Sequence, residues 1–202
     1  MFLSKLTLNL ENPQARRDLA DAYEMHRTLT RLVGERKDRL LWRLEPGRGV
    51  VAPFLLVQTL QAPNWEAVFA ACGADYGELA PDFPKEFHPV FHSGQRLRFR
   101  LRANPSVMRN RKRYGLLRKK DQLDWLKRKL SQAGTKVLSA EVVGKEWLTA
   151  RRALKGSRIE LLAVTFEGFL LVEAPQPLLT AVKEGVGHGK AFGLGLLSLA
   201  RG

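Results

Sequence analysis

Residues Arg96 to Ala103 read RLRFRLRA, and no other stretch of this 202-residue chain limits its fold so narrowly. Leu97, Phe99 and Leu101 fall on one side of an extended backbone, and Arg96, Arg98, Arg100 and Arg102 fall on the other. A strict period of two describes a β-strand with one face in a core and one in water, the habit of antiparallel sheets. The chain around Arg96 must supply partner strands and a layer to cover the apolar face.

Both halves of the sequence offer such partners in the same order. Phe2 to Leu10 alternates like a strand, and a helical stretch then runs to about Val33, ahead of a polar break at Gly34 to Asp38. Leu40 to Leu44 and Phe54 to Leu60 read as strands around the turn Glu45 to Gly49, and Asn64 caps a short helix through Ala71. Pro81, Pro84 and Pro89 then punctuate a stretch with room for one more short strand before Gly94. After the arginine strand, Asp121 to Gln132 has helical spacing through Leu123, Leu126 and Leu130. Val137 to Val143, Ile159 to Phe166 and Phe169 to Val172 follow as strands, then a helix at Gln176 to Glu184 and a strand at Leu196 to Leu199. The pattern predicts an α+β protein of two tandem ferredoxin-like (βαββαβ) domains with antiparallel sheets, at residues 1–90 and 94–202.

The charge points to a partner. Lysines and arginines number 34 against 20 aspartates and glutamates, a formal net charge of +14. An excess of that size favours a polyanion, most simply nucleic acid. Cys72 is the single cysteine, so neither an internal disulfide nor a cysteine metal cage is available, which fits a reducing cytoplasm. The start MFLSKLTLNL lacks a long apolar run, and no window approaches the roughly 18 apolar residues of a membrane span. A soluble, cytoplasmic, untargeted chain is expected, with no membrane partner.

The segment EGVGHGKAFGLGLLSL places five glycines, His188 and Lys190 ahead of the last strand. Glycine loses the most entropy on folding, so such a run is kept where the backbone bends unusually or approaches something closely. In a basic chain, phosphate is the natural object of approach. A Walker loop would need glycine where Glu184 stands and Ser or Thr where Ala191 stands. The dinucleotide fingerprint fails too, since Gly185 and Gly187 are followed by Lys190, and Gly187 and Gly189 by Phe192. Both motifs also run from strand to helix, the reverse of the order here, so no nucleotide cofactor is expected.

Asp21 to Arg27 reads DAYEMHR, and Asp followed three residues later by Glu starts a helix at about Ala22. Tyr23 and His26, three apart, can face one site. A histidine in the first turns feels the positive end of the helix, which disfavours its cation. His26 also shares an arc with Ala22, Leu29 and Val33, so a histidine at the edge of the core is the competing reading. His88 and His92 are four apart, but Pro89 spoils the helix that would align them, and no metal site is expected. Ser93 and Ser198 lack a paired base. The basic runs Met108 to Lys120 (MRNRKRYGLLRKK) and Arg151 to Arg158 (RRALKGSR, shaped like a hairpin tip) suit phosphate contacts, with a solvated surface as the alternative. No basic, aromatic strand of the RNA-recognition type is present, so a duplex or hairpin backbone held by Arg and Lys is the expected ligand.

YEMHR, then GQRLRFRLRANP, then GVGHGKAFGLGLLSL, in that order over nearly the whole chain, resemble the CasE family, the endoribonucleases that process CRISPR transcripts in type I-E Cascade systems. The resemblance implies a metal-independent endoribonuclease without cofactors. Such an enzyme binds the stem-loop of the CRISPR repeat RNA (pre-crRNA and crRNA) and cuts at the base of the stem. It leaves a 2′,3′-cyclic phosphate, stays on its product, and assembles with other Cascade subunits. Carried over residue by residue, His26 becomes the general acid or base and Tyr23 its partner at the scissile phosphate. Arg27 and Arg31, the hairpin residues Arg151, Arg152, Lys155 and Arg158, and the loop residues Gly187, Gly189 and Lys190 become RNA contacts. Relatives often have proline before the tyrosine, where this chain has Ala22; proline suits a first helical position without being required there. The alternative is a non-catalytic RNA-binding or scaffold subunit of the same superfamily, which has no need of the tyrosine and histidine.

Overall fold

Alternation in the first residues becomes the centre of the first sheet. A computed structural model of the chain describes residues 1–36, 38–47, 52–151 and 158–202. Strand β1 (Phe2–Leu8) buries Ser4, Leu6 and Leu8, then helices α1 (Pro13–Ala20) and α2 (Ala22–Leu29) follow. Strands β2 (Leu40–Glu45) and β3 (Phe54–Thr59), helix α3 (Trp65–Cys72) and the short strands β4 (Gly77–Leu79) and β5 (Lys85–Glu86) complete this part. The sheet order is β2-β3-β1-β4, antiparallel throughout, with Leu6 opposite both Leu55 and Leu79, while β5 pairs with the start of β1. In this sheet the first and third strands lie side by side at the centre, flanked by the second and the fourth, which is the ferredoxin-like arrangement. Its core gathers Leu6, Leu8, Met25, Leu29, Trp42, Leu55, Val68 and Tyr76.

The second sheet repeats the order. It is built from β6 (Arg96–Ala103), β9 (Thr135–Arg151), β10 (Arg158–Val172) and β11 (Leu197–Arg201), arranged β11-β6-β10-β9. Helix α4 (Lys119–Gln132) precedes β9, and α5 (Pro175–Glu184) precedes the glycine loop. Leu97, Phe99 and Leu101 face the core as the alternation requires, opposite Leu170, Gly168 and Phe166 of β10. Trp125 of α4 stacks on Phe166 with ring centroids 6.5 Å apart. The chain divides into two compact units. One holds Met1–His88 with Ala191–Gly193 and the described part of Thr149–Ile159; the other holds Pro89–Leu148, Glu160–Lys190 and Leu194–Gly202.

Three local expectations change. The stretch expected to be one helix to Val33 is two, broken at Asp21, whose backbone is extended at φ −139° and ψ 112°. The Asp21 amide closes α1 on the Arg17 carbonyl while its carboxylate opens α2. The strands expected at Ile159 to Phe166 and Phe169 to Val172 form one strand through Gly168, where a Cβ would stand 2.0 Å from the Ser139 carbonyl oxygen of β9. The run from Met108 holds a hairpin, β7 (Ser106–Arg109) and β8 (Lys112–Gly115), inserted between β6 and α4.

Candidate functional site

The capped start of α2 sets the position of the tyrosine and histidine. The Asp21 carboxylate accepts a hydrogen bond from the Tyr23 amide at 2.8 Å, the N-cap anticipated from the sequence. Glu24 does not reach back to complete a capping box; it pairs with Arg27 at 2.6 Å and with Arg17 at 3.5 Å. Met25, Thr28 and Leu29 are buried, which turns Tyr23 and His26 onto the half-buried flank of the helix.

His26 is the fifth of eight helical residues and lies in the last turn, where the Thr30 amide donates to its carbonyl. The positive end of the helix therefore cannot be what disfavours its cation. Burial does: it holds the His26 pKa below the ordinary histidine value. Nδ1 is enclosed and has no hydrogen-bond partner. A core histidine at rest has its ring nitrogens satisfied; His26 does not.

The helix that carries this ring is pinned by a buried polar network. The Asp18 carboxylate on α1 accepts from the Tyr76 hydroxyl at 2.9 Å and from Arg17 Nη2 at 2.7 Å, and Tyr76 also reaches Met25 Sδ on α2 at 3.6 Å. Arg17 Nη2 lies 3.4 Å from Thr28 Oγ1, tying α1 to α2 a second time. Burial, together with the adjacent Asp18 charge, drives the Tyr76 phenol far above the usual range, so it acts only as a donor. None of this network shows in the sequence, because Asp18, Tyr76 and Met25 are scattered along it.

The other residues expected at the site lie as follows. Arg27 and Arg31 are exposed, Arg27 in its pair with Glu24 and Arg31 with Nη1 at 3.3 Å from the Arg27 carbonyl. Strand β9 ends at Arg151 and β10 begins at Arg158; Arg152 and Lys155 lie outside the described residues. In the glycine loop all five glycines have φ between 73° and 92°. A Cβ on Gly187 would lie 3.1 Å from the Trp125 ring, and one on Gly193 would lie 2.7 Å from Trp42. The close approach expected of these glycines is thus made, at two positions, to tryptophans of the chain itself. Lys190 Nζ donates to the Gly187 carbonyl at 2.9 Å, closing the loop on itself.

The arginine face of β6 carries partners that the alternation alone does not assign. Arg100 and Arg98 both pair with Glu167 on β10, Arg102 pairs with Glu146 on β9, and Arg96 lies over the Phe169 ring at 4.7 Å. Burial alone would raise the Glu167 pKa, but the two guanidiniums outweigh it and hold the carboxyl below its usual range.

A family model described as CRISPR associated protein matches residues 1–201. The chain belongs to the CRISPR-associated protein family. Within this family, the CRISPR-associated endoribonuclease Cse3 of Thermus thermophilus is 44% identical over 216 aligned residues, which cover 99% of this chain and 100% of Cse3. The CRISPR system Cascade subunit CasE of Escherichia coli K12 is 29% identical, with 99% of each chain covered. A solved structure of Thermus thermophilus Cse3 bound to an RNA representing a pre-cleavage complex superposes with a TM-score of 0.90 at 43% identity, covering 98% of both chains. The family named by the three sequence segments is the family found. No described helix is long and apolar enough to cross a membrane.

Proposed function

We propose that this family member is an endoribonuclease that binds the stem-loop of CRISPR repeat RNA and cuts at the base of the stem without a metal, with His26 and Tyr23 at the scissile phosphate. The observation that carries the reading is the His26 ring: half-buried, disfavoured as a cation, unpaired at Nδ1, and fixed on a capped helix. Such an imidazole is neutral near pH 7 and able to accept a proton. The 2′-oxygen attacks phosphorus as its proton is taken, the bond to the 5′-oxygen breaks as that oxygen is protonated, and the products are a 2′,3′-cyclic phosphate and a 5′-hydroxyl. His26 makes one of these transfers, and the Tyr23 hydroxyl, which no described residue engages, is free to serve the same phosphate.

Arg27 and Arg31 stand on the same helix and its continuation, suited to hold RNA phosphates beside the histidine. Arg151, Arg152, Lys155 and Arg158 supply cations for the stem, and Lys190 with the amides of Gly187 and Gly189 supplies a further backbone contact. The enzyme works in the cytoplasm and stays on its product, and it joins other Cascade subunits, the last in keeping with the name of the E. coli relative.

The test is single-turnover cleavage of a matching repeat RNA in EDTA. Wild-type protein cuts once per molecule, whereas His26→Ala binds the RNA and cuts at least about a hundredfold more slowly, the usual scale of acid–base catalysis. Full activity in His26→Ala, or a strict need for a divalent ion, overturns the mechanism.

A further inference from the structure

The hairpin β7–β8 and the start of α4 hold the densest basic run of the chain, and the roles above use none of it. Arg109, Arg111, Lys112 and Arg113 are exposed, and none forms an ion pair with a described residue, in contrast to the arginines of β6. The two-residue tip places Asn110 at φ 48° and Arg111 at φ 61°. Such turns favour glycine at the second position, and a side chain in left-handed backbone costs about 1 kcal/mol. The tip thus presents a cation at a position where glycine would be less strained.

The hairpin is tied back to the glycine loop inside the same compact unit. Arg113 Nη1 donates to Ser106 Oγ at 3.3 Å, Ser106 Oγ donates to the Asn104 carbonyl at 3.4 Å, and Asn104 forms a β-bridge with His188 in the loop. His188 is exposed. After burial, the charges of Arg113, Lys190 and Lys129 are what hold its imidazole below the ordinary value. Lys129 lies in the last turn of α4, and that helix's first-turn acid, Asp121, is at the other end. Positive charge from β8, from α4 and from the loop thus bears on the exposed His188 ring, to which Arg113 is also tied through Ser106 and Asn104, and such a place suits an anion.

We infer that Arg113, Lys129 and His188 form a seat for one phosphate of the RNA backbone, and that the β7–β8 hairpin continues this contact along Arg109, Arg111 and Lys112. The inference rests on the reading of the chain as an RNA-binding enzyme and adds a second binding element to it. The exposed ring of Tyr114, on the strand opposite Val107, lies among these cations where an unpaired base can stack.

The experiment measures the affinity of intact protein for the matching repeat RNA across a salt series. Arg113→Gln with Lys129→Gln lowers the slope of log K against log salt by about 0.7 to 0.9 for each phosphate no longer neutralised, and Lys136→Gln, an exposed control on β9, leaves it unchanged. Arg111→Gly removes a charge while relaxing the turn, so it raises thermal stability and still weakens RNA binding; a folding defect cannot produce that pair of results. If wild-type protein binds and cuts the RNA but these variants keep its slope, the phosphate seat is wrong and the enzyme reading stands. The seat is equally overturned if they keep the slope and lose association with other Cascade subunits, which makes the hairpin a protein contact. Failure of the wild type to bind any repeat RNA takes down both readings.

Discussion

The role proposed for His26 ties the chemistry of this chain to its folding. Burial depresses its folded-state pKa, so as pH falls the unfolded chain takes up a proton near pH 6.5 before the folded chain does. The stability associated with neutral His26 is thus complete above about pH 6.5 and is lost as pH falls toward the lower folded value. His188 is depressed in the same direction and adds to the same loss. Denaturant unfolding at about pH 7.5 and about pH 5.5, on either side of that transition, checks this. His26→Gln loses less stability on acidification than wild type, and adding His188→Gln flattens the profile further. An unchanged profile in both variants refutes the assignment. With neutral His26 as the group that takes the 2′ proton, the single-turnover cleavage rate of wild-type protein at saturating RNA is sustained near neutrality and falls on the acid side, where the imidazole becomes charged; a fall on the alkaline side instead assigns it the donor role.

At the scale of elements, position depends on caps and close contacts more than on periodicity. Asp21→Ala removes the carboxylate that holds the Tyr23 amide and costs about 1 kcal/mol by analogy with other N-caps. Because the lost cap loosens the turn that carries Tyr23, cleavage should slow while RNA affinity changes little. Gly193→Ala meets two penalties, a φ of 73° and a Cβ 2.7 Å from the ring of Trp42, which is itself almost fully buried. Together they give about 2 to 4 kcal/mol of destabilisation, read by chemical unfolding with tryptophan fluorescence as the probe. These elements also show what the sequence could reveal. The start of α2 was legible because a cap is local, an aspartate with a glutamate three residues on. The break before it was not, since one residue ends one helix and begins the next. The β7–β8 turn hid because Asn110-Arg111 lacks the glycine that usually announces it. Gly168 looked like a strand end, but its lack of a side chain is what lets β9 pass. The Asp18–Tyr76 tether that holds α2 in place joins residues 58 positions apart, beyond the reach of any local pattern.

At the scale of the whole molecule, two sheets with one strand order account for the repeated pattern, and the net charge of +14 accounts for the partner. These two properties act on different steps of the reaction. Binding is a sum of exposed phosphate contacts, so counterion release governs it. In the proposed mechanism, cleavage depends on proton transfers at a half-buried imidazole with no ionic partner, which screening by salt scarcely reaches. Raising monovalent salt from about 50 to about 200 mM should therefore weaken repeat-RNA binding by about three orders of magnitude for a footprint of about six phosphates. The single-turnover rate at saturating enzyme should stay within about twofold over the same range. A cleavage rate that falls in step with affinity would mean that exposed cations, not His26, supply the rate-limiting stabilisation. Arg27 and Arg31 would then be the first residues to substitute, because they flank the histidine from the solvent side of its own helix and the turn that follows.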